Sequence, residues 1–267
     1  MAIEEPYRIT EAPGKGLGVY ATSDIMPGAT ILSETPLLHL RYPPSRVVKS
    51  STYFKAEFKR LRGPDRTAFL QLSSDSDDRL FAAIAKCADR FTSDVDTGTA
   101  LAIWETNRFD VTPPATEGQE GKPLTEEAIF NHISRFNHSC APNAQYRWDH
   151  RAPRMSVHAI KPIVKGEEIT VSYIQCCTSR RYRQKRLSVW GFRCQCIACD
   201  DSTKSGRQHV RNRDRIAEII DNVDNWIVEL QDEALNEKEV VRVKNDLEEA
   251  VRLSVEEGFV HSKLRKV

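Results

Sequence analysis

Cys194, Cys196 and Cys199 fall at C-x-C-x-x-C spacing within six residues. A tetrahedral zinc site takes four thiolates, and a tight C-x-x-C pair is a common way to supply two of them. These three cysteines supply all but one. The fourth must come from elsewhere in the chain, and Cys140, which closes the run Asn137-His138-Ser139-Cys140, is the best candidate. A zinc ion shared by Cys140, Cys194, Cys196 and Cys199 would fasten two distant segments together and build a pocket from both. The alternative for the four is a set of reduced, buried thiols. Cys87, Cys176 and Cys177 are left over, and Cys176 and Cys177 read as packing residues because adjacent cysteines are poor joint ligands for one tetrahedral ion.

The chain has 267 residues and a formal net charge of +1. That length suits one large domain, or one domain with an appendage. Near-neutral charge argues against direct nucleic-acid binding, which usually needs a basic excess. No apolar run approaches the roughly 20 residues of a membrane span, so no membrane partner is expected. The start Met1-Ala2-Ile3-Glu4-Glu5 lacks a signal-peptide core. Seven cysteines without such a signal point to a reducing compartment and to metal rather than disulfides. A soluble intracellular protein, nuclear or cytoplasmic, is expected.

Hydrophobic periodicity divides the chain. Short strands are expected over residues 7–40, with Tyr7 and Ile9 alternating, Val19-Tyr20-Ala21-Thr22 after the glycines, and Thr30-Ile31-Leu32 after the turn Met26-Pro27-Gly28. Residues 45–104 change to helical spacing through Phe54, Phe58, Leu61, Phe69 and Leu70, then Leu80, Phe81, Ile84, Ala85 and Ala88. Residues 111–123 read as a Pro/Gly-rich loop. Strands return over 155–174, where Met155, Val157 and Ala159 alternate and Ile169, Val171 and Tyr173 follow the Lys165-Gly166 turn. Residues 205–267 read as charged helices with apolar stripes at Ile216, Ile219, Ile220, Val223 and Ile227, and at Leu247, Ala250, Val251 and Val255. No internal repeat is long enough to identify.

Four motifs carry a family resemblance. Ser134-Arg135-Phe136-Asn137-His138-Ser139-Cys140-Ala141-Pro142-Asn143 resembles the NHSCxPN motif of SET-domain lysine methyltransferases. Gly166-Glu167-Glu168-Ile169-Thr170-Val171-Ser172-Tyr173 resembles the family's second motif. Gly14-Lys15-Gly16-Leu17-Gly18-Val19-Tyr20 resembles its N-terminal glycine loop, and Trp190-Gly191-Phe192-Arg193-Cys194 onward resembles a post-SET zinc segment. The match is nearest to SMYD-like and fungal SET proteins, in which a long insert separates the glycine loop from NHSC. Nothing here resembles the MYND finger of SMYD proteins.

The resemblance implies an α+β, β-rich SET fold of several small sheets. Its expected limits are a SET domain over 1–174 with a helical insert at about 45–104, a post-SET zinc segment over 175–202 and a helical extension over 203–267. It implies S-adenosylmethionine-dependent lysine methylation of a protein or peptide, histone or non-histone, which would place the protein in chromatin or among other substrates. A monomer is expected. The rival is a non-catalytic SET module acting as a zinc-stabilised protein-binding scaffold.

The resemblance also implies roles. The glycine loop is neither a Walker A loop nor a dinucleotide fingerprint, because Val19 stands where a third spaced glycine would fall and a strand follows. Glycines let backbone approach a ligand closely, and backbone of Lys15, Gly16 and Leu17 would contact the cofactor. The Asn137 side chain would hold its amino end and the His138 backbone its adenine, with Ser134, Glu105 and Asn107 as further contacts. Glu105 also reads as a solvated helix end. Tyr173 would be the catalytic residue, its hydroxyl toward the transferring methyl at the base of an apolar channel. Free lysine has a pKa near ~10.4, and apolar burial favours the neutral amine that must attack. Trp190 and Phe192 would wall that channel, with Phe192 covering adenine, unless they merely pack on the zinc. Trp190 stands where the family commonly has Tyr, and leaves mono-, di- or trimethylation open. The basic run Arg180-Arg181-Tyr182-Arg183-Gln184-Lys185-Arg186 reads as a solvated helix face with Tyr182 and Leu187 turned inward, or as a patch for an acidic partner or a nuclear signal.

Overall fold

The computed structural model of the chain describes residues 5–42, 50–74, 95–114, 124–229 and 237–259. Leu80, Phe81, Ile84, Ala85, Ala88, Cys87 and residues 115–123 of the expected loop lie outside these. The chain divides into two compact units, Met1–Asn137 with Asn143–Val171, and His138–Pro142 with Ser172–Val267.

The first unit carries the small sheets. β1 (Tyr7–Ala12) and β2 (Gly16–Ala21) form an antiparallel hairpin in which Ala12 faces Gly16. The turn needs left-handed backbone at Gly14 (φ 71°) and Gly16 (φ 73°), which only glycine adopts without strain. β3 (Thr30–Glu34), β4 (Leu38–Tyr42), β5 (Phe109–Asp110), β6 (Thr125–Ile129), β7 (Asn137–His138), β8 (Ala144–Asp149), β9 (Arg154–Ala159) and β10 (Glu168–Val171) follow. They assemble as β1-β2-β10-β7, β3-β9-β8 and β4-β6-β5. In β9, Met155, Val157 and Ala159 are buried and alternate with more accessible Ser156 and His158, the period-two pattern of a strand.

Helices α1 (Ser50–Arg60), α2 (Gly63–Leu70) and α3 (Val95–Asn107) cover the β4-β6-β5 sheet. Phe54, Phe58, Phe69 and Trp104 are essentially sealed and pack with Leu38, Leu40 and Ile129. The Phe54 ring lies 5.6 Å from Phe58 and 5.4 Å from Trp104. Each such aromatic contributes roughly 1.5–3 kcal/mol by burial, so this cluster anchors the helical layer.

The second unit is helical. It holds α4 (Arg180–Leu187), a 3₁₀ turn Ser188–Trp190, and the antiparallel pair α5 (Lys204–Glu229) and α6 (Glu237–Glu256). No described helix is long and apolar enough to cross a membrane. The α+β architecture of several small sheets with helices agrees with the sequence expectation.

Three local expectations are overturned. Tyr173 is not on the strand, because β10 ends at Val171. The Ser172 hydroxyl donates to the Ile174 carbonyl and accepts from the Ile174 N–H, a local arrangement that competes with ladder pairing. In α4 it is Arg183, not Tyr182, that turns inward: Arg183 is fully buried and Tyr182 is 49% exposed, while Leu187 is buried as expected. In α6 the buried positions are Ala250, Leu253 and Ser254, followed by Glu257, whereas Val251 and Val255 face solvent. Just past the helix end, Glu257 is buried against the Arg213 guanidinium, 2.7 Å away.

Candidate functional site

In the first unit the glycine loop, Asn137 and β10 meet at one carboxylate. Glu168 Oε1 accepts from Asn137 Nδ2 at 2.9 Å, and Glu168 Oε2 accepts from Lys15 Nζ at 2.7 Å. Asn137 Nδ2 also donates to the Leu17 carbonyl at 3.1 Å. With its amide N–H groups so engaged, Asn137 offers its Oδ1, an acceptor suited to an ammonium group. Gly18 lets these parts approach, since a Cβ there would stand 2.9 Å from both Ala12 Cβ and Asn137 Nδ2.

The turn before Asn137 is held from below. Glu34 accepts the backbone N–H groups of Asn131 at 2.9 Å and Ile133 at 2.9 Å, at the start of the 3₁₀ turn Ile133–Arg135. Ser134 lies in that turn, and its Oγ is buried without a partner among the described residues. A buried, unpaired hydroxyl costs free energy unless something bonds it. Together with the Asn137 acceptor it fits a polar ligand carrying a hydrogen-bond donor. Asn143 pins the far end of the motif, donating to Glu167 Oε1 and the Glu168 carbonyl and accepting from Thr170 N–H.

Glu105 and Asn107 lie at the end of α3, occupied by protein partners. Glu105 pairs with Arg108 at 2.9 Å. Asn107 Nδ2 donates to the Ser73 and Ile103 carbonyls at 2.7 and 2.8 Å.

The second unit gathers the remaining site residues. Tyr173 stands within a group of rings, 5.3 Å from His138, 5.4 Å from Trp190 and 6.5 Å edge-to-face from Phe192, measured between centroids. The chain turns between the last two through Gly191 at φ 72°. All four side chains pack on or beside the cysteine cluster.

The sulfurs of Cys140, Cys194, Cys196 and Cys199 all lie within 4.8 Å of one another. Cys140 Sγ is 4.0 Å from Cys194 Sγ and 3.5 Å from Cys199 Sγ. Zn–S bonds of ~2.3 Å in a tetrahedron set sulfurs ~3.8 Å apart, so the quartet fits zinc. Partners outside the four support them. Gln184 clamps Cys194, donating to its carbonyl at 2.9 Å and accepting its N–H at 3.1 Å. Arg183 Nη2 lies 2.9 Å from the Ala198 carbonyl and 3.7 Å from Cys199 Sγ. Arg213 Nη1 donates to the Cys140 carbonyl at 2.6 Å. Cys176 is buried and hydrogen-bonds Ser172 Oγ at 2.9 Å, outside the quartet.

Sequence reading missed Glu168, Glu34, Gln184, Arg183 and Arg213 as supports. Glu168 lay inside a recognised motif and was the findable one. The others sit in stretches whose local pattern gives no sign of a distant partner.

Comparison with known proteins places these motifs in context. The SET domain family model matches residues 16–174. Histone-lysine N-methyltransferase set5 of Schizosaccharomyces pombe is 28% identical over 197 residues, covering 73% of this chain and 50% of that protein. Histone-lysine N-methyltransferase ATXR4 of Arabidopsis thaliana is 31% identical over 94 residues, covering 35% of this chain and 29% of the relative. The chain thus spans half or less of the length of these relatives. A solved SET domain, that of LSMT bound to lysine and AdoHcy, is 14% identical at a TM-score of 0.45, covering 72% of this chain and 54% of that one.

Proposed function

Because the chain belongs to the SET-domain family, we propose that it is an S-adenosylmethionine-dependent protein-lysine N-methyltransferase. The observation that carries this reading is the ring group around Tyr173, built from His138, Trp190 and Phe192 on a zinc-fitting cysteine quartet. The names of the relatives make histone lysines the first substrates to test, with a nuclear or cytoplasmic site of action.

The bound donor supplies an electrophilic methyl on a sulfonium. In the first unit, backbone of Lys15, Gly16 and Leu17, the Asn137 Oδ1 and the Ser134 Oγ are assigned to binding it, with Glu168 setting the conformation of the loop. In the second unit, the His138 backbone and the Phe192 ring are assigned to the adenine. Glu105 and Asn107 are secondary assignments that would require exchange of their present partners. Tyr173 is assigned to orienting the methyl, and Trp190 with Phe192 to an aromatic wall that desolvates the lysine. Desolvation disfavours the ammonium form and so favours the nucleophilic amine. The faces of these rings also attract a cation, including a methylated ammonium. Cys140, Cys194, Cys196 and Cys199 are assigned to zinc, whose role here is to fold the segment.

Calorimetric titration of S-adenosylmethionine into zinc-loaded protein, followed by labelled-methyl transfer to histone and non-histone lysine peptides, tests the reading. Binding and transfer, both lost in Asn137→Ala, are expected. A well-folded, zinc-replete protein that binds no donor would instead be a protein-binding scaffold.

A further inference from the structure

Both ring nitrogens of His138 are committed, and in a fixed sense. Nδ1 lies 3.0 Å from the backbone nitrogen of Tyr173, and a backbone N–H only donates, so Nδ1 accepts. An imidazole whose Nδ1 accepts carries its proton on Nε2, and Nε2 lies 3.2 Å from Cys140 Sγ. His138 is buried, at 6% exposure. One imidazole therefore joins a member of the cysteine quartet to the residue assigned to the transferring methyl.

We infer that the His138 side chain is a positioning residue, whose Nε2–H donates to the metal-bound Cys140 thiolate while its Nδ1 fixes the backbone of Tyr173. This differs from the adenine contact assigned to the His138 backbone, and it rests on the reading of Tyr173 as the residue at the methyl. A donor to a thiolate disperses its charge and lowers its tendency to be protonated off the metal. The Tyr173 N–H needs that acceptor because β10 has already ended at Val171, leaving residue 173 outside the sheet ladder. The metal cluster thus holds the active conformation through one ring.

Three substitutions separate the two bonds. Asparagine places a carbonyl near Nδ1 and nothing near Nε2. Glutamine can extend an amide N–H towards Cys140. Phenylalanine fills the space and makes neither bond. Two readouts need no methyl donor or substrate, which keeps failure of this inference distinct from failure of the methyltransferase reading. They are the rate of zinc transfer to a coloured chelator and the hydrogen-exchange protection of the Tyr173 amide. His138→Asn and His138→Phe are expected to release zinc about 10-fold faster or more, and His138→Gln to stay closer to the parent. Tyr173 amide protection is expected to survive in His138→Asn and to be lost in His138→Phe. Turnover is expected to follow the amide, with kcat falling about 10-fold in His138→Phe while the KM for S-adenosylmethionine changes less than about 2-fold. Should the variants fold poorly, nitrogen NMR of the zinc-loaded parent reads the tautomer directly. A proton on Nε2 supports the inference, and a proton on Nδ1 overturns it. Parental zinc release and amide protection in all three variants would also overturn it, as would an equal loss in all three.

Discussion

Asn137 Nδ2 and Glu168 Oε1 stand 2.9 Å apart, fastening the start of the NHSC motif to the strand that leads to Tyr173. The same carboxylate holds Lys15. Glu168→Gln keeps the shape but weakens both charge-assisted bonds. The Lys15 side chain is 47% exposed, so its share is small. The Asn137 bond dominates, at about 1 kcal/mol. Calorimetry is expected to show S-adenosylmethionine affinity reduced several-fold in Glu168→Gln, with little change in melting temperature.

Tyr173→Phe removes one hydroxyl and keeps the ring among His138, Trp190 and Phe192. A group that acts on the transferring methyl should affect rate rather than binding. Single-turnover transfer is expected to fall about 100-fold, with donor affinity within about 2-fold of the parent. Undiminished transfer would remove Tyr173 from the mechanism.

Structural zinc in small sites binds with an apparent free energy of roughly 10–16 kcal/mol. That is comparable with the ~5–15 kcal/mol net stability of a whole domain. A strong chelator, or Cys199→Ser, is therefore expected to unfold the second unit rather than merely loosen it. Metal analysis should show less than one zinc per chain, and circular dichroism a loss of helix signal. Unchanged melting after complete zinc removal would refute the structural role.

Arg213 and Glu257 form a fully buried pair, with Asn212 and His209 also bonded to the Glu257 carboxylate and Phe259 stacked 4.5 Å from the guanidinium. Removing one partner strands the other charge. Arg213→Met is expected to destabilise the protein by about 3–5 kcal/mol, and Arg213→Met with Glu257→Leu to recover much of that. Denaturant unfolding of the three proteins measures it. If the double variant is no more stable than Arg213→Met, charge stranding is not the cause.

By itself the sequence determined the local and the chemical features. Cysteine spacing announced the quartet, because only ligand type and number are needed to recognise it. Gly14, Gly16 and Gly18 marked a place where backbone can approach a ligand closely, whereas the hairpin turn and its positive φ at Gly14 and Gly16 came from the fold. Alternation at Met155, Val157 and Ala159 announced a half-buried strand. Tertiary structure decided which faces turn inward and which distant polar groups meet. Arg183 is buried instead of Tyr182 because carbonyls at Thr178 and Ala198 and the Cys199 sulfur accept from its Nη1 and Nη2. Val251 and Val255 face out while Ala250, Leu253 and Ser254 are buried, with Glu257 paired to Arg213 just past the helix end. The bond of His138 to Tyr173 spans 35 positions and has no local signature. Periodicity records what a residue prefers near its neighbours, whereas the burial of a charge or an imidazole depends on a partner that only the folded chain supplies.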